Sequence, residues 1–69
     1  MTLVVLNGER RELPEGATVE AAVRDAGMAE TGRGVAVAVD GEVVPRGEWA
    51  RTEVREGQRV EVVHAVQGG

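Results

Sequence analysis

The chain has 69 residues, 42% of them apolar and 29% charged, with 12 acidic against 8 basic side chains and a net charge of −4. No cysteine and a single histidine exclude a disulfide framework and a zinc finger. The arginines are scattered, at 10, 11, 24, 33, 46, 51, 55 and 59, which leaves no basic stripe for nucleic acid.

No stretch approaches the roughly 18 consecutive apolar residues of a membrane span, and no basic-then-apolar leader opens the sequence. A soluble, cytoplasmic protein is therefore expected, with no nucleic-acid and no membrane partner. A chain of about 60 residues buries only roughly 60% of its unfolded surface, so one small Val/Ala/Leu core must suffice.

Residues 2–6 (Thr-Leu-Val-Val-Leu) read as a strand ending at Asn7-Gly8, the strongest short hairpin signal, because a type I′ turn needs φ > 0 twice. Residues 9–13 return as a polar strand, and Pro14-Glu15-Gly16 stops it. Thr18 is the expected N-cap of a short helix with Glu20 in its first turn. Val19, Ala22, Val23 and Ala26 form its apolar stripe, and Gly27 ends it.

Residues 28–34 read as loop. The Gly32-x-Gly34 pair fails as a phosphate loop because no helix start follows it. The unbroken apolar run Val35–Val39 predicts a strand buried on both faces. Asp40-Gly41 supplies a second I′ turn, residues 42–44 return, and Pro45 ends that strand. Residues 46–50 form a helical turn carrying Trp49, the only aromatic, which is expected to cap the core. After Glu56-Gly57, residues 58–65 make a long last strand, apolar on both faces and so expected inside the sheet.

A single helix must cover one face of one sheet. The order predicts an α+β, β-grasp (ubiquitin-like) domain over residues 1–65, with a four- to five-stranded mixed sheet. Residues 66–69 are expected to be a flexible tail ending in Gly-Gly. Two terminal glycines are roughly a 0.5% coincidence at average glycine usage. Their lack of Cβ permits close backbone approach, and five residues extend at most about 17 Å. A terminal carboxylate on such a tail suits activation inside a partner's cleft, typically as an acyl-adenylate.

Three stretches carry a family resemblance. Leu13-Pro14-Glu15-Gly16-Ala17-Thr18-Val19 precedes the helix, and Val43-Val44-Pro45-Arg46-Gly47-Glu48-Trp49 follows the second hairpin. Gly57, Val60-Glu61-Val62-Val63 and the closing Gly68-Gly69 complete the set. Over essentially the whole length the chain resembles the ThiS family, sulfur carriers for the thiazole ring of thiamin. Gln58 departs from it, since members often carry Asp after the turn glycine.

The resemblance implies that Gly69 is the reactive terminus, with Gly68, Gln67 and Val66 giving access to it. It implies adenylation of the Gly69 carboxylate by a ThiF-type, E1-like enzyme using ATP, with no cofactor held by the carrier itself. Sulfur drawn from cysteine through a desulfurase would then form a thiocarboxylate for a ThiG-type thiazole synthase. Arg46 and His64 are candidate partner contacts, and a carrier visiting two enzymes is expected to be a monomer when free.

Two rivals remain at this point. One is a carrier feeding molybdopterin, cysteine or a secondary metabolite. The other is a non-catalytic β-grasp interaction module with an inert tail. A stand-alone enzyme is disfavoured, because the chain has no Cys, no Ser and no His/Asp constellation.

Overall fold

The computed structural model describes residues 1–27 and 34–64. Strands β1 (Thr2–Leu6) and β2 (Glu9–Leu13) form an antiparallel hairpin in the register Thr2↔Leu13 to Leu6↔Glu9. Its two-residue turn has φ of 50° at Asn7 and 85° at Gly8, the left-handed pair that the Asn-Gly sequence favours.

Helix α1 (Val19–Asp25) follows. Thr18 caps it, its Oγ1 accepting from the Ala21 N–H at 3.3 Å. The Val19 N–H, which has no intrahelical partner, donates instead to the Thr52 carbonyl at 2.8 Å. Val19, Ala22 and Val23 are buried, Ala26 packs against the same core, and Gly27 leaves the helix at φ 79°.

A second hairpin joins β3 (Val35–Val39) to β4 (Glu42–Val44) through Asp40 and Gly41, at φ 50° and 86°. Pro45 then leads into a 3-10 segment, Arg46–Arg51, which packs on α1 and buries Trp49. The indole N–H donates to the Val44 carbonyl at 3.0 Å, so the ring closes the core with its polar atom satisfied. The last strand, β5 (Arg59–His64), pairs parallel with β1 and antiparallel with β3.

The sheet order is β2-β1-β5-β3-β4. It is a five-stranded mixed sheet holding one short helix, the β-grasp arrangement. The last strand is central, as its length and apolar content suggested. Its expected span of 58–65 contracts to Arg59–His64 within the described residues, and position 65 lies outside them, as do 28–33 of the expected loop.

One expectation fails. Val35–Val39 is not buried on both faces: Val37 is buried, Ala36 is exposed, and Ala38 is only half-buried. The physical reason is the layer count. The described residues supply one covering layer, so one sheet face packs on α1, Trp49 and Val54 while the other stays open among them. Continuous apolar sequence here records an inner position in the sheet rather than two-sided burial. β5 behaves alike, with Val62 3% exposed and Val63 57% exposed.

Candidate functional site

Topology determines where the tail must begin. β4 and β5 both run antiparallel to β3, so Val44 and His64 leave the sheet at the end where β3 starts. β1 runs with β5, which puts the Asn7-Gly8 turn at that end too. The chain therefore gathers its turn, the start of the 3-10 segment and the root of the tail at one end. The expected tail residues Val66, Gln67, Gly68 and Gly69 lie outside the described residues.

The two candidate partner contacts share that end but not one point. His64 is the last residue of β5, in register with Val35. Arg46 opens the 3-10 segment two residues beyond β4, a strand about 10 Å from β5 at normal strand spacing. Its guanidinium sits 5.9 Å from the centroid of the Trp49 ring, a cation–π distance that orients it over the indole.

β5 is held near both ends by hydrogen bonds with Asn7 and Asp40. Asn7 Oδ1 accepts from the Val62 N–H at 2.8 Å, and Asn7 Nδ2 donates to the Val62 carbonyl at 3.1 Å. The side-chain amide thus supplies the ladder position that β1 vacates at its turn. At the other end of the strand, Asp40 Oδ1 accepts from the Arg59 N–H at 2.9 Å, and the Asp40 N–H donates to the Arg59 carbonyl at 2.8 Å. Sequence reading assigned Asn7 and Asp40 only to their turns. Their second role depends on a strand more than fifty and nearly twenty residues away, which no local pattern announces.

The open sheet face carries two of the exposed large apolar side chains among the described residues. Val63 and Val43 are 57% and 72% exposed, with Ala36 opposite Val63 and Ala38 opposite Val43. Beside them on β5, Arg59 and Glu61 point to the same face, and Val5 of β1 lies in register with Arg59. A shallow groove crosses this side, lined by Val5, Asn7, Gly8, Arg59, Glu61, Val62 and Val63. An apolar centre with charges of both signs around it is the composition of a protein-docking surface. Sequence alone did not tell the open face from the covered one, because the signal is the exposure of every second residue.

Among the described residues no group of three His, Cys, Asp or Glu side chains is placed to hold a metal ion. No helix among them is long and apolar enough to cross a membrane. Gln58, the departure noted in the sequence, accepts from the Arg55 N–H through Oε1 at 2.7 Å and closes the Glu56-Gly57 turn. Its Nε2 also donates to Asp40 Oδ2 at 3.5 Å, a contact that only an amide can make there.

Comparison with known proteins accords with this architecture. The ThiS family model matches residues 4–69. A solved structure, the thiamine biosynthesis protein ThiS of Geobacter metallireducens, superposes with a TM-score of 0.78 at 26% identity, covering 99% of this chain and 100% of that one. A thiazole synthase of Paramagnetospirillum magneticum is 36% identical over 66 residues, 96% of this chain. The chain spans only 20% of that relative's length. With the β-grasp sheet, the Pro45–Trp49 segment and the match running through Gly69, the chain belongs to the ThiS family, the sulfur carriers of thiamin biosynthesis.

Proposed function

We propose that Gly69 carries sulfur as a thiocarboxylate. A ThiF-type, E1-like enzyme adenylates its carboxylate: a carboxylate oxygen attacks the α-phosphorus of ATP and pyrophosphate leaves. The resulting acyl-adenylate has a good leaving group at an acyl carbon that was a poor electrophile before. Sulfide attacks that carbon and expels AMP; sulfur drawn from cysteine through a desulfurase arrives instead as a protein persulfide, whose terminal sulfur attacks the same carbon, and a thiol then cleaves the S–S bond to leave the thiocarboxylate. A ThiG-type thiazole synthase then consumes the thiocarboxylate. The carrier acts as a protein co-substrate and contributes no catalytic side chain.

The observation that carries this reading is the family match extending through Gly68-Gly69. The similarity to a protein named thiazole synthase favours thiazole formation over molybdopterin or cysteine as the destination. Recognition is assigned to the open face. Val63 lies six residues before Gly69, a span of at most about 20 Å when extended. An enzyme seated on Val63 and Val43 therefore receives the glycines in a cleft at the sheet's end.

The test is the intact mass of the protein after incubation with ATP, the adenylating enzyme and a sulfide source. Replacement of one oxygen by sulfur, localised to the C-terminal peptide, is expected. An unchanged mass with an enzyme shown to be active on another carrier would refute the mechanism and leave an interaction module as the reading.

A further inference from the structure

Asn7 combines two properties. It precedes a glycine, and its side-chain amide is a structural member of the sheet. In an Asn-Gly sequence the following backbone nitrogen meets no Cβ on its approach to the side-chain carbonyl carbon, since glycine carries none. Gly8 has nothing within 4 Å of where a Cβ would stand, so the turn itself leaves that side open. In this fold, however, both ends of the Asn7 amide are engaged by Val62 of β5, at 2.8 and 3.1 Å.

We propose that Asn7 is a site of spontaneous deamidation that the β1–β5 seam holds in check, and that conversion there weakens the strand from which the tail departs. The Gly8 backbone nitrogen attacks Asn7 Cγ. A C–N bond forms, the Cγ–Nδ2 bond breaks, and ammonia leaves with the proton released from nitrogen. Water then opens the cyclic imide at either carbonyl, giving aspartate or isoaspartate at position 7. The sequence is redox-neutral and needs only solvent.

Ring closure requires Cγ to turn toward Gly8, and that breaks both bonds to Val62. The rate therefore reports local opening of this seam. The product matters because a carboxylate only accepts hydrogen bonds. It retains the Val62 N–H but confronts the Val62 carbonyl with an acceptor where a donor stood. Isoaspartate also lengthens the backbone by one methylene inside a two-residue turn.

Asn7 is the chain's single asparagine, so the site is unambiguous by peptide mass mapping. The intact protein is incubated at mildly alkaline pH, folded and in urea, and the exchange of an amide NH2 for a hydroxyl in the N-terminal peptide is followed with time. The folded protein should convert at least about tenfold more slowly than the unfolded chain. Equal rates would overturn the proposed protection. In parallel, Asn7→Asp should lower the urea midpoint and speed amide hydrogen exchange around Val62. A variant with the parental midpoint and parental exchange would show that conversion does not weaken the seam, and would overturn that half of the inference.

Discussion

Val62 and Val63 are adjacent on β5 and face opposite ways, so the same substitution at each should produce opposite phenotypes. Val62 is 3% exposed and sits in the core against the helix side of the sheet. Val62→Lys forfeits the burial of a valine, about 1.5–3 kcal/mol, and places an ammonium where nothing pairs with it, several kcal/mol more after relaxation. A domain of this length has about 3.5–10 kcal/mol of total stability. The variant should be largely unfolded.

Val63→Lys removes an exposed side chain and sets a positive charge on the same face as Glu61, two residues away. Its cost should stay within about 1 kcal/mol, the span of strand propensity. Trp49, the only tryptophan and buried, gives the unfolding signal by fluorescence during a urea titration. The folded Val63→Lys protein should then be thiocarboxylated poorly. A central apolar contact of an interface is worth about 1–3 kcal/mol, which means a loss of roughly 5- to 150-fold in kcat/KM of the adenylating enzyme. If Val63→Lys unfolds as Val62→Lys does, the assignment of faces is wrong. If it is stable and activated at the parental rate, the open face is not where that enzyme binds.

Three further outcomes follow from named contacts. Thr18→Ala removes the acceptor for the Ala21 N–H and should cost about 1 kcal/mol, read as a fall of about 4–8 °C in Tm for a domain of this size. Trp49→Phe keeps most of the ring's burial but leaves the Val44 carbonyl without the indole donor; a destabilisation of about 1–3 kcal/mol in urea is expected. Adding one alanine after Gly69 should abolish sulfur transfer, measured by intact mass, while Tm stays unchanged.

What the sequence made legible was local chemistry. Asn7-Gly8 and Asp40-Gly41 impose left-handed backbone whatever surrounds them, and Thr18 and Gly27 bound the helix by satisfying groups within one turn. What remained hidden depends on distant chain. Val54 is 1% exposed, yet it stands alone among Thr52, Glu53, Arg55 and Glu56, with no periodic pattern to mark it. It is drawn inward because its N–H donates to the Ala17 carbonyl at 2.9 Å, beside the Thr18–Glu53 bridge. Glu56 reads as a surface charge, but its carboxylate accepts from the Leu3 N–H at 2.9 Å. The error over Val35–Val39 has the same origin. Periodicity reports which residues tolerate burial, while the number of layers decides which are buried.

This arrangement separates three properties that a larger protein would entangle. Under the proposed function, stability resides on the helix side of the sheet, recognition on its open side, and reactivity at Gly69. β5 connects all three. Its even-numbered residues Val60 and Val62 lie in the core, while its odd-numbered residues Arg59, Glu61 and Val63 face outward. The strand is flanked by β1 and β3 and clasped by Asn7 and Asp40. Under the proposed function, a partner bound at Val63 would hold the strand from which the tail leaves, so that docking would fix where Gly69 is delivered. Shortening the path between Val63 and Gly69 should then impair activation more than binding: deletion of Gln67 should leave affinity for the adenylating enzyme within about twofold, less than 0.5 kcal/mol, while kcat falls. A parallel loss of both would place the recognition in the tail rather than on the sheet.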